Sequence, residues 1–439
     1  MDCLRRAGYG GCCLKAVARA PFLKDNANSG IGHVRSKNKE YAIVGYPRKL
    51  RLFSACFKSK RPSLCTACSS QKSVSLSNRM DGRLFGSEND QLWWDDKCLF
   101  HPIVVRDPSA SPAPWRMYYY GRDQDSWHCG VTPALISTGC IGMAVSEDGL
   151  HWKRFLGPLH KGALMCPSEK RSDSFDCVHV GCSDVLLYNE EWWMFYFGGS
   201  LEEVAIRPQE SSVRGFRMRT GLTRSRDGIV FKHSMQPILE VGSRGEWDEL
   251  FVAWARVLPP SNSVKGEDSS QLTHWWMTYS SMEGGTVPSS AIGAAISDNG
   301  KTWKKLGKIL QKGSSGSWDE AGVGRRHVLQ IGGKFVMFYE GVNKLGMHGI
   351  GIAISEDGLK WEKDLESGAE PGGPVFVPRR GQDVWDSGTV AAPHVVQLED
   401  GNFRLYYVGS DSLKKATAIG LAISDGHNFR SWKRANAIG

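Results

Sequence analysis

The chain predicts an all-β protein, a five-bladed β-propeller of four-stranded blades preceded by a disordered basic leader. Three observations carry that reading. An aromatic–Asp pair recurs five times, as Trp94-Asp95, Phe175-Asp176, Trp247-Asp248, Trp318-Asp319 and Trp385-Asp386. Successive pairs are 81, 72, 71 and 67 residues apart, about the length of one blade. The same series of strand-like runs and a turn follows each pair, as expected of sheets repeated around an axis. Blades therefore start near 94, 175, 247, 318 and 385, within a propeller of residues 81–439.

The first run of each blade is hydrophobic and centred on Val104, Val185, Val257, Val328 or Val395. It reads as the innermost strand. The second is aromatic, as in Met117-Tyr118-Tyr119 and Met337-Phe338-Tyr339. Bulk on both faces of a strand means burial on both, as where one blade packs between two others. Its column Tyr119, Tyr196, Tyr279, Tyr339, Tyr407 is unbroken, and a phenol kept in every blade is expected to satisfy a buried backbone group. The third run carries Gly142, Gly221, Gly293, Gly351 or Gly420, where backbones must approach closely. A Ser-x-Asp-Gly turn or its variant follows, with Trp152, Trp303 and Trp361 expected to pack back on the outer strand. Fivefold recurrence of the aromatic–Asp aspartate argues for a structural hydrogen bond, since a catalytic acid belongs to one or two blades.

Residues 1–80 are a different polypeptide. They hold 16 Lys/Arg against 3 Asp/Glu and ten Ser, with no repeat and no unbroken apolar stretch. Basic, Ser-rich and acid-poor is the composition of an organellar transit peptide, here expected to direct the chain to a chloroplast, with the mitochondrion or a plain disordered tail as alternatives. The other residues carry 39 Lys/Arg against 43 Asp/Glu, so the propeller lacks the basic surface of a nucleic-acid binder. No run of about 18 apolar residues suggests a membrane span. The twelve cysteines split evenly between leader and propeller, which reads as mostly thiols rather than a disulfide scaffold. A monomer without cofactor is expected.

Function would lie where inner strands converge. Seven residues past each aromatic stand His101, Cys182, Trp254, Arg325 and Ala392; nine past stand Ile103, Asp184, Arg256, His327 and His394. Both columns vary between blades while their neighbours stay aliphatic or small, the mark of a functional face on a constant frame. Arginines supply planar donor pairs, histidines further donors, and Trp254 a stacking face, so a carbohydrate or sugar-phosphate ligand is expected. The same residues also read as a buried ion-pair network around Asp184, and His101, His327, His394 and Asp184 as a metal set that no spacing rule supports.

From about Leu92 to Arg434 the chain resembles the five-bladed arabinanase/levansucrase/invertase superfamily, glycoside hydrolase families 32, 43, 62 and 68. The resemblance rests on Trp385-Asp386…Pro393-His394-Val395, on Met337–Gly341 and on Ser355–Trp361. It implies a glycosidase, with an acid on each of blades one, two and three. Paired carboxylates are needed there because one donates a proton while the other attacks or activates water. This chain departs from that pattern: His101-Pro102 replaces the first Asp, Cys182 falls near the second, and Ala253 or Trp254 replaces the Glu. A rearranged set of Asp184 with Glu249, Asp95 or Asp96 would be needed for hydrolysis. The alternatives are a sugar-binding propeller and a protein-interaction scaffold.

Overall fold

A computed structural model describes residues 81–87, 92–107, 109–123, 139–168, 173–206, 212–260, 272–284, 288–381, 383–413 and 416–436. The leader 1–80 lies outside the described residues, and with it the expectation that it has no packed core.

Among the described residues there is no α-helix. Strand β1 (Arg83–Gly86) precedes blade 1, which holds β2 (Cys98–Arg106), β3 (Trp115–Arg122), β4 (Cys140–Ser146) and β5 (Lys153–Arg154). Blade 2 holds β6 (His179–Tyr188), β7 (Glu191–Gly199) and β8 (Met218–Ser225). Blade 3 holds β9 (Ala253–Leu258), β10 (Trp275–Glu283), β11 (Ser289–Ser297) and β12 (Lys304–Leu310). Blade 4 holds β13 (Gly322–Ile331), β14 (Lys334–Val342), β15 (His348–Ser355) and β16 (Glu362–Lys363). Blade 5 holds β17 (Thr389–Gln397), β18 (Phe403–Ser410), β19 (Thr417–Asp425) and β20 (Asn428–Arg434). Within each blade successive strands pair antiparallel.

Outer strands are less uniform than four per blade suggests, and proline explains why. The outer segments of blades 1, 2 and 4 contain Pro158, Pro237 and Pro371 with Pro374. Proline gives the ladder no N–H. These edges therefore reduce to two-residue strands or to isolated bridges at Ile141–Met165, Thr220–Leu239 and Ile350–Phe376. Blades 3 and 5 have no proline there and form the seven-residue strands β12 and β20.

Blade 5 is completed from the opposite end of the described chain. Strand β1 pairs with β19, setting Phe85 opposite Ile419. That is the slot that Met165, Leu239, Leu310 and Phe376 fill in the other blades. Closing the last blade with an early strand ties the two ends of the described fold together and leaves only short outer edges.

The recurring residues form one buttress per blade. The tyrosine hydroxyl donates to the aspartate of its own blade, at 3.0 Å for Tyr119–Asp95, 2.8 Å for Tyr196–Asp176, 3.0 Å for Tyr279–Asp248, 3.1 Å for Tyr339–Asp319 and 2.9 Å for Tyr407–Asp386. The partner shared by all five is thus a carboxylate, and the backbone group expected from sequence is bound in blade 2, where the Tyr196 hydroxyl also accepts Ser234 N–H at 3.0 Å. A cation or histidine from the outer segment completes each pair: Arg154, His233, Lys305, Lys363 and Arg434. The aromatic ring of the pair lies on the third strand, where a Cβ at Gly142 would fall 2.1 Å from Trp94. The turn tryptophan is fixed by its own turn, since Trp152 Nε1 donates to the Gly149 carbonyl at 3.0 Å. Tyr406 of blade 5 donates to that carbonyl at 2.8 Å, and Tyr118 of blade 1 to Gly228 of blade 2 at 2.9 Å, so the turns also dock neighbouring blades.

Candidate functional site

Every inner strand slips register at the same place. The shifts fall between Phe100 and Ile103, Cys182 and Asp184, Ala253 and Arg256, Val323 and Arg326, and Ala391 and His394. In blades 1 and 5 the bulge absorbs Pro102 and Pro393, which have no N–H for the ladder. His101, Trp254 and Ala392 adopt left-handed backbone there, with φ of 59°, 52° and 50°. His101, Trp254, Arg325 and Ala392 of the seven-past column therefore sit within the bulges, Cys182 pairs with Tyr196 at the edge of its own, and the nine-past column lies just beyond them.

Three of the five nine-past residues, Asp184, His327 and His394, link adjacent blades in an incomplete hydrogen-bonded ring about the axis. Side chains of one blade bind the backbone of the next. Asp184 Oδ2 accepts Val257 N–H at 2.8 Å, and His327 Nδ1 accepts Val395 N–H at 3.1 Å. His394 Nε2 lies 3.0 Å from Val104 O. Asp184 Oδ1 also accepts Val185 N–H at 3.0 Å and Arg256 Nη1 at 3.2 Å. Arg256 donates through its other nitrogen to His394 Nδ1. Since a guanidinium only donates, that contact fixes the His394 proton on Nε2, facing Val104 O. The His327 and His394 rings are 4.2 Å apart, so both histidines and Arg256 share the axial face. Burial holds both imidazoles well below the usual histidine range, reinforced by Arg256, so they are neutral. Burial raises the Asp184 carboxyl and lowers the Arg256 guanidinium. Both Asp184 oxygens nonetheless accept N–H donors, and the ionised pair is the form that fits.

The seven-past residues form a second layer. His101 stacks on Tyr120 at 5.9 Å, and Trp254 Nε1 donates to Tyr120 Oη at 2.9 Å. Arg325 lies 5.4 Å over the Trp254 ring and 3.3 Å from Glu340 Oε2. Glu340 also binds His348 Nδ1 at 2.7 Å and accepts Ala392 N–H at 3.3 Å. Burial opposes its ionisation, but Arg325 and His348 hold its pKa down at about 2. His101 is buried, and neither ring nitrogen has a hydrogen-bond partner among the described residues. Burial and the nearby Arg256, Arg325 and Arg326 keep it neutral.

Glu340 and His348 were not singled out in the sequence. Glu340 follows the tyrosine column, and the residues there are Tyr120, Phe197, Ser280, Glu340 and Val408. That variation beside an unchanging tyrosine is the signal that would have marked it.

Other residues singled out in the sequence lie apart from this cluster or are already engaged. Asp95 belongs to the blade-1 buttress with Tyr119 and Arg154, and Asp96 is buried next to it in sequence. Glu249 accepts Gly245 N–H in a turn, as Glu320 accepts Gly316 N–H in the next blade, and it lines a separate groove of about 390 Å³. Cys182 is buried beside Asp184 and Arg256, and burial pushes its thiol well up, keeping it protonated. The Trp254 faces are taken by Phe197, Phe251 and Arg325, which leaves none for a sugar ring. Among the described residues no group of His, Cys, Asp or Glu is gathered as a metal set, and both nitrogens of His394 and Nδ1 of His327 are spent on backbone and Arg256.

Space separates these regions further. The cavity between Trp254, Ser280, Gly324, Arg325 and Glu340 holds about 10 Å³, room for about one water. A groove of about 570 Å³ opens between blades 4 and 5, lined by Trp318, Met347, His348, Pro378, Arg379 and Arg380. His348 faces this groove and binds Glu340, so it joins the groove to the axial layer.

No family model and no curated protein sequence matches the chain. Solved structures do. One, a protein solved as an RGII complex, superposes with TM-score 0.55 at 17% identity, over 81% of this chain and 94% of that one. The structure of a GH130 protein, from a family described as mannoside phosphorylases with hydrolases targeting β-1,2 mannosidic linkages in Candida mannan, gives 0.51 at 16%, over 82% and 95%. A thermostable family-43 glycoside hydrolase gives 0.50 at 16%, over 78% and 94%. These neighbours are of the propeller superfamily that the sequence resembles, and at such identities the likeness establishes the fold. Among the described residues no helix is long and apolar enough to cross a membrane.

Proposed function

We propose that this protein is a carbohydrate-binding propeller without the paired acids of a hydrolase. One observation carries the reading: both axial carboxylates are already committed. Asp184 serves Val185, Val257 and Arg256, and Glu340 serves Arg325, His348 and Ala392. A general acid must give up a proton and a nucleophile must reach carbon; neither oxygen set is free to do so. The space that suits a mono- or disaccharide is the 570 Å³ groove beside His348, within the range of ligand pockets, about 300–1,000 Å³. Arg380 on its rim favours a phosphorylated or otherwise anionic sugar. Carbohydrate as the ligand class is supported by the glycoside-active neighbours.

Calorimetric titration of the full chain with sugars and sugar phosphates, beside assays on chromogenic glycosides, tests this. Saturable binding without turnover is expected, and Arg380→Ala should weaken an anionic sugar about tenfold with an unchanged melting temperature. Hydrolysis that disappears in Asp184→Asn or Glu340→Gln would overturn it.

We also propose that the basic leader directs the protein to plastids, supported by its composition of 16 Lys/Arg, 3 Asp/Glu and ten Ser. A reporter fused to residues 1–80 should enter plastids; a cytosolic signal would end that proposal.

A further inference from the structure

We infer that Cys140 and Cys166 are a disulfide-forming pair that staples the outer edge of blade 1. The argument starts from backbone register. Ile141 N–H donates to Met165 O at 2.7 Å, and Met165 N–H to Ile141 O at 3.2 Å. Exchange of both bonds makes Ile141 and Met165 a hydrogen-bonded antiparallel pair. The next pair along the ladder sets Cys140 opposite Cys166 and is of the non-hydrogen-bonded kind. There the strands come closest, with Cα atoms typically about 4.5 Å apart. That lies inside the roughly 4.4–6.8 Å a disulfide spans. Facing residues also project to one side of the sheet. The side chains agree with the register, since the two Sγ atoms lie 2.6 Å apart.

The place in the fold gives the bond a purpose. This is an edge that Pro158 weakens, leaving β5 only two residues long and one isolated bridge beyond it. The residue before Cys140 carries the edge onward, because Val180 N–H of the blade-2 inner strand donates to Gly139 O at 3.2 Å. A covalent link at Cys140 would therefore fasten the blade-1 edge beside its junction with blade 2.

Accessibility sets the order of events. Cys166 is half-buried and Cys140 buried, so an external disulfide meets Cys166 first. The Cys166 thiolate attacks one sulfur of that disulfide, forming a mixed disulfide and releasing a thiolate that takes up the Cys166 proton. The Cys140 thiolate then attacks Cys166 Sγ and expels the second external thiolate, which takes up the Cys140 proton. Two cysteine thiols are oxidised by two electrons and one external disulfide is reduced to two thiols.

Full-length protein is incubated with oxidised glutathione, alkylated and digested without reductant for peptide mass mapping. A cross-linked 140–166 peptide pair, about 2 Da lighter than the two reduced peptides together and lost with dithiothreitol, is expected. Oxidised wild type should melt roughly 5 °C above the reduced protein, and Cys166→Ser should abolish that difference. Recovery of both cysteines alkylated, each carrying glutathione, or joined to other cysteines would overturn the inference. The mapping is done on wild type, so it holds whatever the stability of the variant.

Discussion

The seven-past and nine-past positions lie two residues apart on the same inner strands, yet they are held in different ways. Three of the five nine-past side chains are bound to the backbone of the next blade, Asp184 to Val257, His327 to Val395 and His394 to Val104, and Arg256 is bound to Ser183 O of the preceding one. Of the seven-past residues, His101, Trp254, Arg325 and Ala392 lie in the bulges; Trp254 and Arg325 engage other side chains, and His101 has no partner for either ring nitrogen among the described residues. The difference teaches that variation between blades has two meanings. It marks residues that close the axis as well as residues that could meet a ligand, and only the hydrogen-bond partners distinguish them.

The comparison breaks most visibly at Asp184. Asp184→Ala removes acceptors from Val185 and Val257 and leaves Arg256 buried without its carboxylate. Uncompensated burial of one member of such a pair costs about 3–5 kcal/mol. Denaturant unfolding should show a loss of that size. Asp184→Asn should lose less but still destabilise, since its amide nitrogen must face an N–H donor. Unchanged stability in both would remove the axial ring as a structural device.

Glu340 sharpens the contrast through pH. Its folded pKa of about 2 lies below the ordinary glutamate value of 4.5. A group depressed by folding contributes stability that is complete above the unfolded pKa and is lost as pH falls through the folded one. Stability should therefore decline from about pH 4.5 towards 2, by ~3 kcal/mol from this group, and Glu340→Gln should flatten that limb. Acid denaturation of the two proteins compared at equal salt measures it. An identical acid limb would show that the Arg325–Glu340–His348 contacts do not hold the carboxylate in solution.

A smaller effect is expected in the buttresses. Tyr339→Phe deletes the 3.1 Å donor to Asp319 but leaves Lys363 on that carboxylate. A loss of about 1–2 kcal/mol follows, well below that of Asp184→Ala.

Much of this was legible in the sequence, for physical reasons. Packing between blades demands the same residues at the same places, so Trp94, Tyr119 and Gly142 recur in register with their counterparts. The axial columns could be found because no gap intervenes between each aromatic–Asp pair and its inner strand. What escaped was long-range. Phe85 stands 9 residues before Trp94, as Phe376 stands 9 before Trp385, but its place in blade 5 depends on a partner at Ile419. Glu340 was hidden inside an aromatic motif that reads as core. Asp95 and Glu249 attracted notice as acids near the axial strands in sequence, whereas Tyr119, Arg154 and the Gly245 turn decide what they bind.

The finest test of the two columns uses backbone alone. Ala392 has φ of 50° in the bulge, while its neighbour Ala391 is not among the positive-φ residues and pairs with Val408 in the ladder. Glycine at a ladder position costs about 0.5–1 kcal/mol through the greater freedom of the unfolded chain. Left-handed backbone costs alanine a similar amount, roughly 1–2 kcal/mol, which glycine relieves. Ala391→Gly should therefore cost about 1–2 kcal/mol more than Ala392→Gly. Both side chains are a single methyl and both are buried, so lost packing largely cancels in the comparison. Equal losses in paired denaturant melts would mean that Ala392 relaxes out of its bulge in solution. The seven-past column would then rejoin the ladder, and the distinction between the two columns would disappear with it.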